Sequence, residues 1–211
     1  DGLAALREFD LLPHLFPAVA DELEREPDGV GARLVRLGLE STDVRVAESR
    51  SVTPTFLYAV LLYGSIARTA RERAGGGRVD AQTLLEATDQ GVAAQVRRVA
   101  VPKRFTLPLR ELMALQPRFE RRDGRRALAL LHHPRFRAAF DLLLLRAKAG
   151  DVPEELANWW TEIQTLPAEE RAQRVTEAAP NAAPDGEEAA GDAAPRRRRR
   201  RRRGGERRSQ A

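Results

Sequence analysis

Apolar residues recur at the spacing of helix turns through most of the chain, and proline or glycine divides this pattern into short segments. Leu3, Leu6 and Phe9 lie three residues apart, and Pro13 interrupts the repeat soon afterwards. Each such segment has one apolar face, which it can bury only by packing against other helices. We therefore predict an all-α fold, with an irregular multi-helix body.

The breaks in the pattern set the ends of the predicted helices. Pro102 ends one helix and Pro108 begins the next, because proline is tolerated in the first turn of a helix and disfavoured in its interior. Ala100 to Phe105 is then a connector, and the polar stretch from Asp43 to Ser51 is a link. The predicted helices are residues 1–10, 15–24, 30–39, 55–74, 80–99, 108–117 and 156–166, with a further helix that begins at Pro134.

Charge is distributed along the chain in blocks. Residues 97–146 hold 13 Lys or Arg against 4 Asp or Glu, a net charge of +9, and residues 196–211 hold another net charge of +9. Residues 1–96 and 147–195 are acidic, with net charges of −5 and −8. An array of cations on this scale fits the phosphate backbone of a nucleic acid, so we predict that the first basic block binds RNA.

Changes in composition divide the chain into three parts. Pro27-Asp28-Gly29 breaks the chain, and from Pro167 onward the sequence becomes rich in Ala, Glu and Pro. The run from Arg196 to Arg203 cannot fold alone, because it repels itself and buries nothing. We predict a helical unit in residues 1–26, a helical RNA-binding body in residues 27–166 and a disordered tail in residues 167–211, acidic and then Arg-rich. The arginines of the tail would act as an electrostatic arm for RNA.

The arginines near Gly124 are the centre of the predicted RNA-binding surface. If they lay on one continuous helix, Arg118, Arg121, Arg122, Arg125 and Arg126 would form a single cationic stripe. Asp123-Gly124 favours a turn, however, so we predict two short helices that meet there, with arginines converging from both. The full predicted set of RNA-binding residues is Lys103, Arg104, Arg110, Arg118, Arg121, Arg122, Arg125, Arg126, Arg135 and Arg137.

Other conspicuous residues in this region are predicted to be structural. Trp159 and Trp160 can stack on RNA bases or pack in the core, and we favour the core. Asp141 lies four residues after Arg137, the spacing of an ion pair along a helix. His132 and His133 lack partners at metal-binding spacing, so we interpret them as capping or surface residues.

Composition excludes several kinds of site. The chain has no Cys, so it forms neither disulfides nor thiolate metal sites. Gly64-Ser65 lies inside a predicted helix, and the sequence contains no Asp-x-Asp motif. The Gly-Ser pair therefore does not indicate a nucleotide-transfer site. We predict no catalytic and no metal-binding residue. No apolar run approaches the roughly 18 residues that cross a membrane, and we expect a cytoplasmic protein without membrane contact.

Several stretches resemble one family. These are Pro102-Lys103-Arg104-Phe105, Gly124-Arg125-Arg126-Ala127, the segment from His133 to Asp141, and Trp159-Trp160. Together with Leu11 to Pro17 they resemble the C-terminal region of the bacterial poly(A) polymerases, nucleotidyltransferases related to the CCA-adding enzymes. By this resemblance residues 1–26 are the end of a helical neck.

The resemblance implies an enzyme that adds AMP from ATP to RNA 3′ ends. In that family a catalytic head supplies a Gly-Ser turn and paired aspartates, of which the aspartates hold two Mg²⁺ ions, and this sequence contains no such set. We therefore expect a C-terminal fragment that is inactive alone, with Mg²⁺ and ATP belonging to the missing head. The expected partners are RNA 3′ ends and proteins of RNA decay. The alternative hypothesis is a protein-interaction scaffold whose cationic face docks an acidic partner.

Overall fold

A computed structural model describes residues 2–178, and within this range the chain forms eleven α-helices and one 3₁₀ helix, without a β-strand. The predicted all-α fold is confirmed for these residues. The helices are α1 (Gly2–Glu8), α2 (Leu12–Leu15), α3 (Pro17–Arg25), α4 (Val30–Ala47), α5 (Pro54–Arg73), α6 (Ala81–Val96), α7 (Lys103–Leu115), the 3₁₀ helix (Gln116–Glu120), α8 (Gly124–Leu131), α9 (Phe136–Lys148), α10 (Glu154–Thr165) and α11 (Ala168–Glu177). The predicted arginine arm, Arg196 to Arg203, and the predicted disorder of the tail beyond residue 178 lie outside the described residues.

Helix α5 is the centre of the body, and α3, α4, α6, α7 and α9 pack around it. Gly64 lies where α5 crosses α4, and a Cβ at this position would come within 2.8 Å of the Cα of Gly31. The Ser65 hydroxyl donates to the carbonyl of Leu62, one turn earlier in the same helix, at 3.0 Å. The Gly64-Ser65 pair therefore serves the close packing of two helices.

An aromatic cluster joins the 3₁₀ helix, α9 and α10. Trp160 is fully buried and its Nε1 donates to the carbonyl of Phe119 at 2.8 Å. The rings of Trp160 and Phe119 meet edge to face, with centroids 5.1 Å apart. Trp159 is also buried and lies edge-on to Trp160. Both tryptophans therefore belong to the core, as predicted.

Helix α4 is longer than predicted. The expected link from Asp43 to Ser51 is wrong in its first half, because α4 continues to Ala47. Arg45 in the last turn reaches across to α9, where its Nη2 lies 3.4 Å from Asp141 Oδ2. This contact joins residues 96 positions apart, and a local reading of polarity cannot detect it. Ser49, two residues after the end of the helix, has a left-handed φ of +55°.

Helix α7 begins earlier than predicted. Lys103 and Arg104 lie in its first turn, so the expected connector up to Phe105 is wrong in its second half, and Pro108 lies inside the helix. A proline at this position removes one backbone hydrogen bond, to the carbonyl of Arg104. Arg104 is exposed, so water can satisfy that carbonyl. The predicted break at Pro117 is confirmed, because α7 gives way to the 3₁₀ helix at Gln116.

The segment after Pro167 is not wholly a tail. Residues 168–177 form helix α11, which packs on α8 and buries Val175. Arg171 Nη2 donates to the carbonyl of Gln164 at 2.9 Å, and Arg174 forms a salt bridge with Glu162 at 3.2 Å. The boundary predicted at residue 167 therefore falls one helix too early, because Val175 and the two arginines attach this helix to the body.

Candidate nucleic-acid interface

An open groove of about 590 Å³ lies between the start of α6 and the 3₁₀ helix. Four arginines line it, namely Arg78, Arg118, Arg121 and Arg126. Val79, Asp80, Ala81, Gln82 and Pro117 complete its walls. We call this feature the arginine groove.

The bend at Gly124 is what brings these arginines together. Gly124 has a φ of +66°, a left-handed conformation that costs glycine little and other residues more. The backbone of Arg121 is extended, so the chain leaves the 3₁₀ helix before α8 begins. The 3₁₀ helix thus supplies Arg118, the bend supplies Arg121 and α8 supplies Arg126. The prediction of two short helices with converging arginines is confirmed.

The charge of the groove is predominantly positive. Asp80 is the carboxylate in its lining, and it caps α6 by accepting a hydrogen bond from the backbone N–H of Thr83 at 2.7 Å. Hydrogen bonds from Thr83 lower the pKa of Asp80, so it stays ionised. Arg78 is paired with Glu120 at 2.8 Å. Arg118 and Arg126 form no ion pair with any residue between 2 and 178, so their charges are available to a ligand.

Among residues 2–178, Arg110, Arg135 and Arg137 from the predicted RNA-binding set form ion pairs with carboxylates. Arg110 makes two contacts with Asp89, at 2.7 and 3.2 Å. Arg135 pairs with Glu111 at 3.0 Å. Arg137 pairs with Asp141 at 3.0 Å, which confirms the ion pair predicted from their spacing. We call Arg110, Arg135 and Arg137 the paired arginines, and their fields are partly cancelled at the surface.

The remaining predicted residues lie outside the lining of the groove. Lys103 and Arg104 are in the first turn of α7, where the Arg104 guanidinium lies 4.9 Å from the ring centroid of Phe105. Arg122 is half-buried and Arg125 is exposed, both near the bend. The structure thus groups Arg118, Arg121 and Arg126 from the predicted set, and adds Arg78 to them. Their role in RNA binding stays a prediction.

Sequence reasoning missed the role of Arg146, which is 7% exposed in α9. Its Nε donates to Asp151 Oδ2 at 2.8 Å and its Nη1 to Gln116 Oε1 at 3.1 Å. The Tyr63 hydroxyl donates to the same carboxylate oxygen at 2.7 Å, and Arg71 Nη2 donates to Asp151 Oδ1 at 2.9 Å. We call these five residues the Arg146 cluster. The available signal was an arginine inside the apolar run of α9, because buried charges require partners.

The protonation states of the Arg146 cluster are fixed by these contacts. Burial alone would raise the pKa of Asp151, but the charge of Arg146 and the hydrogen bonds from Tyr63 and Arg146 outweigh it and lower that pKa. Burial raises the pKa of Tyr63, although the charge of Arg146 opposes the shift. The cluster therefore holds an ionised Asp151, a neutral Tyr63 and a charged Arg146.

The described range contains neither a candidate metal site nor a candidate membrane span. Between residues 2 and 178 no three His, Asp or Glu side chains lie close enough together to hold a metal ion. None of the helices in this part of the chain is both long and apolar enough to span a membrane.

The family comparison adds to this geometry. The family model for the polymerase A arginine-rich C-terminus matches residues 76–204. The matched region begins just before Arg78 and includes the whole arginine groove. The chain belongs to this family. The resemblance found in the sequence is thereby confirmed.

Individual proteins named poly(A) polymerase I are also similar to most of the chain. The chain is 35% identical to poly(A) polymerase I of Salmonella typhi over 184 residues, which are 85% of the chain and 39% of the relative. It is 33% identical to poly(A) polymerase I of Haemophilus influenzae over 176 residues, 82% of the chain and 38% of the relative. The chain thus spans about two fifths of the length of the relatives that it matches.

Proposed function

We propose that this chain is the RNA-binding part of a polymerase that adds AMP from ATP to RNA 3′ ends. The observation that carries the proposal is the arginine groove, in which Arg118 and Arg126 have no ion-pair partner among the described residues. The relatives are named poly(A) polymerase I, which supports the same substrate.

The groove would bind RNA through its phosphates. Guanidinium groups can present two parallel N–H donors to a phosphate, which gives both attraction and orientation. Phosphate contacts position a strand without reading its sequence, so little sequence preference is expected. A tailing enzyme needs this property, because it must hold transcripts whose 3′ ends differ.

The chemistry of nucleotide transfer would be supplied outside residues 2–178. These residues bring together no group of acidic side chains that could hold the expected Mg²⁺ ions, so neither Mg²⁺ nor ATP is assigned to them. Incubation of this chain alone with ATP, Mg²⁺ and an RNA primer should give no tail growth, and any growth would contradict this division of labour. Proteins of RNA decay are a further proposed class of partner, supported by the family resemblance.

The proposal is tested by RNA binding at several salt concentrations. Affinity for single-stranded RNA should fall steeply with salt, with a slope of about 0.7 per phosphate contact on a double logarithmic plot. The double variant Arg118→Glu/Arg126→Glu should bind all RNA sequences about tenfold or more weakly, by a similar factor for each. Binding that is unchanged from low to high salt would overturn the proposal.

The control for this double variant is its melting temperature, which shows whether the fold is intact. Neither Arg118 nor Arg126 contacts a charged partner in the described range, so the melting temperature should stay close to that of the original chain. A loss of RNA affinity accompanied by unfolding would attribute the effect to structure and count against the groove.

A further inference from the structure

A second cavity of about 220 Å³ lies beside the arginine groove, between α5 and the 3₁₀ helix. We call it the inner cavity. Arg78, Val79 and Pro117 line both the groove and the inner cavity, so the two spaces are neighbours that share a wall. A ligand lying in the groove therefore lies against residues that also line the inner cavity.

The inner cavity has apolar sides and a polar end. Ala67, Ala70 and Leu84 form part of its apolar surface, and Val152 lies on the loop after α9. Its polar end is formed by members of the Arg146 cluster, which all line it. This combination of apolar side chains and hydrogen-bonding groups suits the faces and the edge of a heterocyclic base.

Unused hydrogen-bonding groups point to a polar ligand. Arg146 commits its Nε and Nη1 to Asp151 and Gln116, and its Nη2 has no hydrogen-bond partner among residues 2–178. Glu120, which also lines the cavity, uses one carboxylate oxygen for both of its contacts with Arg78. The cavity thus offers guanidinium donors and a carboxylate acceptor, which are the groups that pair with the edges of bases.

We propose that the inner cavity takes a single base of the RNA strand whose phosphates lie in the arginine groove. This proposal rests on the proposed RNA-binding function and adds a contact that phosphate binding alone does not provide. The cavity is smaller than the roughly 300–1,000 Å³ of pockets for drug-sized ligands, so a base is the part of a nucleotide that we expect it to take. The sugar and phosphate would remain in the groove.

The test compares two oligonucleotides of equal charge. One is a short single-stranded RNA, and the other has the same backbone length with every base replaced by an abasic residue. Because one well-made contact to a base edge strengthens binding by about fivefold or more, the RNA should bind at least about fivefold more tightly at the same salt concentration. Equal affinity for the two would overturn the inner-cavity proposal.

A cavity-filling variant locates the effect. Val152 is half-buried and lines the inner cavity but not the groove, so Val152→Phe should remove most of the preference for base-bearing RNA. Affinity for the abasic strand should be unchanged. Val44→Phe is the matched control, because Val44 is 54% exposed and lines neither space. A preference that survives Val152→Phe in a folded protein would contradict the proposal.

A fluorescence measurement on the original chain tests the proposal without any substitution in the protein. RNA carrying 2-aminopurine in place of one base at a time should change its emission at one position when it binds, because that base leaves water and enters the cavity. Unchanged emission at every position on saturation would overturn the proposal.

Failure of this proposal is separable from failure of the proposed function. Equal affinities for the two strands, with steep salt dependence, would leave phosphate binding by the groove intact and dismiss the inner cavity alone. Weak binding of both strands, independent of salt, would dismiss the proposed function itself.

Discussion

Arg146 and Arg118 belong to the same basic segment, yet the fold gives them opposite surroundings. Arg146 is 7% exposed, and its charge is matched by Asp151 within the Arg146 cluster. Arg118 is exposed on the arginine groove and has no ion-pair partner in the described range. The net charge of a segment therefore reflects how many arginines it contains, but it does not indicate which of them are available to a ligand.

The paired arginines are intermediate between these extremes. Arg110 and Arg135 are exposed, but carboxylates from α6 and α7 hold each of them in place. Surface pairs of this kind contribute about 0–1 kcal/mol to stability. The adjacent carboxylates reduce the attraction between these arginines and a phosphate. We therefore expect the paired arginines to have a smaller role in RNA binding.

The largest expected effect on stability is that of Arg146→Met. The methionine keeps much of the packing but leaves Asp151 buried without its main partner, which should lower the free energy of unfolding by about 3 kcal/mol. Denaturation in urea measures this change. The matched control is Arg118→Met, for which we expect a change within about 0.5 kcal/mol. Equal effects of the two substitutions would remove the distinction between the two surroundings.

A smaller effect is expected from Tyr63→Phe. This change removes a hydrogen bond from a buried hydroxyl to an ionised carboxylate, and such bonds contribute about 1.5–3 kcal/mol. Asp151 keeps Arg146 and Arg71, so the loss should lie near the lower value. The same urea titration measures it, and a Tyr63→Phe protein as stable as the original would show that the hydroxyl contributes nothing to the cluster.

A fall in pH should change the contributions of Asp151 and Asp141 to stability in opposite directions. The folded pKa of Asp151 is lowered, so its stabilising contribution is complete above the unfolded pKa of about 3.9 and is lost as pH falls through the folded pKa. Burial raises the pKa of Asp141 despite Arg137 and Arg45, so the folded state binds this proton first and gains relative stability as pH falls.

Two substitutions separate these contributions. Asp151→Asn should flatten the acid-side loss of stability, and Asp141→Asn should make it steeper. Urea midpoints measured from neutral to acid pH give both slopes. Slopes identical to that of the original chain in both variants would contradict the assigned pKa directions.

The sequence was sufficient for features that depend on local spacing. The helical repeat predicted the fold class, and Asp123-Gly124 predicted the bend between the 3₁₀ helix and α8. Features that depend on distant contacts were missed. The last turn of α4 is held by Arg45 reaching Asp141, and Arg78 joins the groove from a loop that lies 40 residues before Arg118 in the chain. No local pattern contains either contact.

If the proposed function holds, the fold, and not the charge of the segment, decides which arginines bind RNA. The most direct test compares Arg118→Gln/Arg126→Gln with Arg110→Gln/Arg135→Gln, two variants that lose the same net charge. RNA affinity measured across salt concentrations should show a slope reduced by about 1.4 for the groove variant, about 0.7 for each lost contact, and nearly unchanged for the paired variant. Equal reductions in slope and affinity for the two variants would contradict the claim.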